Sequence, residues 1–293
     1  LEDAMDKQKA ALLSMISNSA LIIIKLVAGV LMHSMVVISA AIDSSIDLIA
    51  SLIAFFSIRV SVKPADEDHP YGHNKYENIS GFIEAILIFF AAVLIIYEAV
   101  GRIIAGTYVE KLEMGIAVML FVSFVKGIVS YVLFKVSKKE NSIALKADAT
   151  NLLTDVFTSL GVTTGLVIIK VTKLDILDPI ISIFVALIII KTSFDLTKEV
   201  LKDLTDSSLP DEEVKEIENI IKSNPEVTSF HKLRTRKSGT KREIDVHVRV
   251  DRNYNIVKAH ELSHKVSKQI TDKFPDSHVI IHIEPEGKKE EDK

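Results

Sequence analysis

The sequence predicts an α-helical membrane protein with six transmembrane helices and, behind them, a small soluble α+β domain. Three observations carry that reading. Of 293 residues, 48% are hydrophobic and the net charge is only −4, and the apolar residues gather into separate long runs instead of the interrupted pattern of a soluble core. Nearly all of these runs precede about residue 195, while the rest is ordinary charged globular sequence, which divides the chain into domains at 1–207 and 208–293. Within the runs, carboxylates recur at helical spacing, an arrangement that hydrocarbon makes costly.

Six windows are long and apolar enough to cross about 30 Å of hydrocarbon. They lie near residues 11–32, 36–59, 79–104, 113–136, 143–169 and 175–194, the last having the shortest uncharged core. The first window lacks the positive flank and small-residue cleavage site of a signal peptide, so it is expected to stay in the mature protein. Positive charge sorts the connections. Lys7 and Lys9, then Arg59, Lys63 and Lys75, then Lys135, Lys138, Lys139 and Lys146 fall on one side; Arg102, Lys111, Lys170 and Lys173 are all that the other side offers. Excess lysine and arginine marks the cytoplasmic face, so both termini are expected on the cytoplasmic side of the cell membrane.

Beyond the spans, Leu209-Pro210-Asp211-Glu212-Glu213 opens a helix with acidic residues in its first turn. Val214, Ile217, Ile220 and Ile221 form its apolar stripe, and Asn224-Pro225 ends it. Strands are expected over 227–235 and 243–250 around a turn at Lys237-Ser238-Gly239-Thr240, with Ile244, Val246, Val248 and Val250 alternating against polar neighbours. A helix over 255–272 and a strand over 277–283 complete a two-layer α+β order.

The absence of cysteine excludes thiolate metal sites, disulfides and cysteine nucleophiles. Any metal must be held by oxygen and imidazole. Near-neutral charge and 6% aromatic residues give neither a basic stripe nor a stacking platform for nucleic acid. In the second span Asp43 and Asp47 stand four residues apart, on one helix face, and Asn151 and Asp155 repeat the spacing in the fifth. If those helices pack face to face, three carboxylates and an amide oxygen make an oxygen site for a divalent cation. Glu84, Glu98, Lys25 and Lys126 are further intramembrane charges with no partner that spacing names; structural pairing is their plainer reading, and Lys126 either offsets a carboxylate or snorkels. Asp148 either lines an entry route or ends its helix in water. The loop Asp66-Glu67-Asp68-His69-Pro70-Tyr71-Gly72-His73 is dense in ligand groups, and Asp66, His69 and His73 either converge on a metal or clamp the next helix. In the tail, His231, His247, His282 and Glu284 lie on strand positions that adjoining edges bring together, with His260 nearby on a helix; surface histidines are otherwise only polar residues. His33, His264 and His278 have less to support them.

Asp43-x-x-x-Asp47 with Asn151-x-x-x-Asp155, the segments HPYGHNKYE at 69–77 and FHKLRTRKSG at 230–239, and the ending VIIHIEP at 279–285 together resemble the cation diffusion facilitator family of divalent-metal/proton antiporters, over almost the whole chain. The resemblance implies a homodimer in the lipid bilayer, each protomer with six spans and a ferredoxin-like cytoplasmic domain. It makes Asp43, Asp47, Asn151 and Asp155 the transport site and Asp66, His69 and His73 a loop site. His231, His247, His282 and Glu284 become a tail site with His260 bridging a second ion, and Lys75 and Asp206 a charge interlock. Many zinc-selective relatives carry histidine where this chain has Asn151; an amide oxygen hardens the site, disfavouring Zn²⁺ and favouring Mn²⁺, or else Fe²⁺. Metal entering from the cytoplasm would displace protons from the carboxylates and leave outside after a helix rearrangement. A zinc exporter of the same fold, a metal sensor without flux and a passive channel are the competing readings. Neither a nucleophile–base arrangement nor a phosphate-binding glycine loop suggests an enzyme or an ATP-driven pump.

Overall fold

A computed structural model describes residues 6–31, 35–105, 113–172 and 176–287. The side chain of Asp43, His33, and the turns with Lys111 and Lys173 lie outside the described residues. The chain forms two compact units, Leu1–Leu201 and Lys202–Lys293.

The first unit is built from α1 (Lys7–Leu31), α2 (Met35–Ser61), α3 (Tyr76–Ala105), α4 (Glu113–Glu140), α5 (Ile143–Thr172) and α6 (Leu177–Leu204). All six expected helices are present. Among the described residues five are long and apolar enough to cross a membrane, namely α1, α2, α3, α4 and α6. The first half of α5 carries Lys146, Asp148, Asn151 and Asp155, and most side chains of its apolar second half lie outside the described residues. Large apolar side chains such as Val30, Phe90, Leu94, Phe124 and Phe184 point outward, a surface that calls for lipid instead of water. Inward, the contacts are small: Ala10, Ala54, Ala85, Ala92, Ala144 and Ala149 are fully buried, which lets helix backbones approach closely. Gly81 marks one such approach, since a Cβ there would lie 3.3 Å from Val200 Cγ2 and 3.5 Å from Ile143 Cγ1.

Polar side chains tie the helices together. Asn18 donates to Ser51 Oγ (3.2 Å), Ser130 to the Ala149 carbonyl (2.7 Å) and Ser193 to the Ala85 carbonyl (2.7 Å). Glu77, 1% exposed, gathers Lys7 at 2.6 Å, Ser61 at 2.8 Å and Ser142, joining the ends of four helices.

α6 runs ten residues past the expected end at 194, to Leu204. The uncharged stretch stops there, but helical periodicity does not: Leu196 and Val200 stay buried while Glu199 pairs with Lys146. Asp206, with φ +57°, then closes the helix as Ser207 N–H returns to the Lys202 carbonyl at 2.9 Å.

The second unit follows the predicted order: α7 (Asp211–Lys222), β1 (Ser229–Ser238), β2 (Lys241–Val250), α8 (Ile256–Lys273) and β3 (Ser277–Pro285). β1 and β2 pair antiparallel across the short turn at Gly239, whose φ of +60° suits a residue without Cβ. β3 pairs parallel with β2 after the α8 crossover, giving the order β1-β2-β3. Ile244, Val246, Val248 and Val250 point from β2 into a core with Ile217 and Ile221 of α7 and Leu262, Val266 and Ile270 of α8. Asn255 caps α8 by accepting from Lys258 N–H at 2.9 Å. Both helices therefore cover one sheet face, and the odd-numbered positions of β2 are left on the other.

Candidate metal centres

The bundle centre draws on three helices. From α5, Asn151 Nδ2 donates to Asp47 Oδ1 of α2 at 3.4 Å. From α4, the Lys126 ammonium donates to Asp47 Oδ2 at 2.7 Å and to Asp155 Oδ2. Asp47, Asn151 and Asp155 thus converge as their spacing suggested, and Lys126, 3% exposed, stands between the two carboxylates. Its role as a counter-charge was one of two readings open in sequence; its partners are 79 and 29 residues away, beyond any local pattern. On the neighbouring turn of α2, Ser44 accepts from Lys25.

Two other carboxyls are buried in the bundle. Glu84 accepts from Ser80 at 3.2 Å, while its second oxygen and both oxygens of Asp148 have no hydrogen-bond partner. Asp148 is fully buried, so the reading as a wet helix end is corrected: α5 is covered at that level by neighbouring helices. Glu98 is exposed and pairs with Arg102 one turn along α3 at 2.6 Å, the plain structural role.

In the loop between α2 and α3, Asp66, His69 and His73 place a ligand atom each within 4.8 Å of one another. Asp66 accepts the His69 backbone N–H at 2.7 Å and lies 3.2 Å from His69 Nδ1 and 3.3 Å from His73 Nε2. The backbone hydrogen bond from His69 holds the Asp66 carboxyl below its ordinary value. Gly72, at φ +85°, turns the chain so that His73 comes back under His69, with ring centroids 4.4 Å apart. His73 Nδ1 is buried without a partner. Lys75 begins the first turn of α3, where its carbonyl accepts from Ile79 N–H at 3.2 Å.

The tail centre is a row across the sheet. His231 of β1 pairs directly with His247 of β2, which pairs with His282 of β3, and Glu284 follows on the same face. Adjacent strands lie about 4.8 Å apart, so the row holds its imidazoles at ligand spacing. Glu284 is the hub: 2.8 Å from His247 Nδ1, 3.4 Å from His231 Nε2, 3.5 Å from Arg249 Nε and 3.8 Å from His282 Nε2. The His247 hydrogen bond, aided by the His231, His247 and Arg249 charges, keeps its carboxyl below the ordinary value. His231, His247 and Glu284 form the tightest set, and His231 Nδ1 is buried and unpartnered. His282 is the exposed end of the row. His260 meets His264 edge to face, ring centroids 4.4 Å apart. Asp206 accepts from Arg236 at 3.1 Å, and Asp203 lies 3.4 Å from Lys237.

Imidazole with carboxylate fits zinc, manganese or iron at the loop and the tail, whereas the bundle offers oxygen donors of hard character. A helical bundle with carboxylates at its heart and a separate α+β domain carrying histidines defines a membrane transporter for divalent cations. The chain belongs to the cation efflux family: residues 11–205 match the model of its transmembrane domain and residues 209–286 that of its cytoplasmic domain. It is 33% identical over 94% of its length to an uncharacterized transporter of Synechocystis, sll1263, covering 89% of that protein. It is 31% identical to the cation-efflux pump FieF of Citrobacter koseri, covering 94% of this chain and 92% of that one. It is also 30% identical to protein p34 of Rickettsia prowazekii, over 94% and 91%. Among solved structures, a metal-bound C-terminal domain of the CzcD transporter from Thermotoga maritima is 32% identical, covering 27% of this chain and 93% of that one at a TM-score of 0.26.

Proposed function

We propose that this protein exports Mn²⁺ from the cytoplasm in exchange for protons, as a homodimer in the cell membrane with both termini inside. Family membership supplies divalent-cation efflux; the finer reading rests on the convergence of Asp47, Asn151 and Asp155 in the bundle. Asp43, one turn before Asp47 on α2, is the fourth ligand of this site. An amide oxygen at 151 in place of imidazole makes the donor set harder, which favours manganese. Proton exchange follows from the ligands themselves, because carboxylates must be deprotonated to hold metal and are reprotonated on its release. His231, His247, His282 and Glu284 hold a resident ion in the tail with His260 bridging a second, Asp66, His69 and His73 hold one in the loop, and Lys75 with Asp206 interlocks the dimer near the membrane surface.

Flux into proteoliposomes under an imposed proton gradient, comparing manganese, iron, zinc, cobalt and cadmium, tests this reading. Proton-coupled manganese flux that vanishes in Asp47→Ala is the expected result. Preferential zinc flux would overturn the selectivity argument from Asn151 and leave the exporter intact, while tail binding without flux would put a sensor in its place.

A further inference from the structure

We infer that Lys126 is a tethered counter-cation that occupies the transport site between cargo ions and is displaced by the metal. The inference rests on the reading that Asp47, Asn151 and Asp155 bind the cargo. The Lys126 ammonium takes one oxygen from each carboxylate, Asp47 Oδ2 at 2.7 Å and Asp155 Oδ2, while Asn151 takes the other oxygen of Asp47. It therefore stands where a divalent ion using Asp47 and Asp155 would stand. Two like charges in a part-buried site repel each other more than they would in water, and a single lysine from a third helix relieves that repulsion without an ion from solution.

An ammonium and a divalent cation cannot share those oxygens, so metal entry requires Lys126 to withdraw. Its stem of four methylenes allows this, and a destination exists. Ser123 lies one turn earlier on α4, buried, with its hydroxyl free of any hydrogen-bond partner; residues three apart share a helix face. On cargo release the ammonium returns, and because it is tethered it competes at a high effective concentration. Lys126 is then a device that weakens metal binding enough for release and keeps Asp47 and Asp155 paired between ions. It is a specificity-determining residue for charge: a monovalent ion that must evict an ammonium gains nothing, whereas a divalent ion gains one charge.

The test is metal binding to the full-length protein in lipid nanodiscs by equilibrium dialysis with Mn²⁺, taking the Asp47-dependent component as the difference from Asp47→Ala. Lys126→Gln and Lys126→Met are each expected to raise the affinity of that component by about tenfold or more and to lower the rate of proteoliposome flux at saturating metal; Lys126→Arg keeps the weak affinity. Using two neutral variants guards against one that does not fold, and size-exclusion profiles confirm intact protein. An unchanged or lower affinity in both neutral variants, with the Asp47-dependent component still present, overturns the role of Lys126 while sparing the transport site. Absence of any Asp47-dependent binding overturns both.

Discussion

The bundle centre and the tail centre hold the same kinds of charge in opposite ways. In the bundle, Asp47 and Asp155, both partly exposed, are brought together from two helices and are balanced by the buried Lys126. In the tail, one carboxylate, Glu284, sits among His231, His247 and His282 on an open sheet face. The bundle centre is satisfied without metal, and binding exchanges one cation for another, which suits a site that must let go. The tail centre fixes its donors by strand register and leaves an imidazole nitrogen of His231 unpartnered, which suits an ion that stays. The contrast teaches that release needs a competitor inside the protein, whereas retention needs only a scaffold that does not move.

The sharpest way to break the comparison is Asp47→Ala. It removes an oxygen donor and strands Lys126 in the interior, so metal flux should fall by about a hundredfold or more, as loss of roughly 2.7 kcal/mol of site interaction would cause, while metal binding by the tail persists. Radiometal uptake and equilibrium dialysis read the two separately; loss of both would mean that the centres are not independent. Next in size is the tail scaffold. Ile244→Ala empties a fully buried position on β2 and should destabilise that domain by about 2–5 kcal/mol, seen as an earlier denaturant midpoint in the full chain.

His247→Ala should weaken tail binding by at least the roughly 10–100-fold that loss of even an outer-shell partner costs metal sites, with flux at saturating metal maintained. A matching loss of flux would make the tail ion part of transport. The smallest effect is acid sensitivity of the metal-free tail. Glu284 is held below its ordinary value of 4.5, first by the His247 hydrogen bond, so its contribution to stability is present above that value and is lost as pH falls through the lowered folded value. Thermal unfolding in chelator below about pH 4.5 should show this slope, and Glu284→Gln should flatten it.

Much of this was legible in the sequence. Apolar run length gave all six helices, and alternation along Ile244, Val246, Val248 and Val250 gave β2 and, by phase, the outward position of His247. The end of α6 was not legible, because its last turns trade apolar character for amphipathic spacing and an ion pair from Glu199 to Lys146. Lys126 could be noticed as an expensive intramembrane charge, but its partners depend on which helices pack, a property no window of sequence contains. The fate of Asp148 turned on the same information. The histidine row required the register of a parallel pair formed only after the α8 crossover.

One irregularity of β1 reaches further than its size suggests. The ladder shifts between His231 and Arg234, with Lys232 at φ +50°, a conformation that costs a non-glycine residue on the order of 1 kcal/mol. Lys232 and Leu233 together stand opposite Val246, with His231 still paired to His247 on one side and Arg234 to Asp245 on the other, so the inserted residue adds a local bend to the strand that carries His231. The shape of the strand beside the histidine row is therefore written partly in chain length, at a residue outside the row. Deleting Lys232 should leave His231 opposite His247 and the domain folded, and metal binding by that variant then reads what the bend itself contributes.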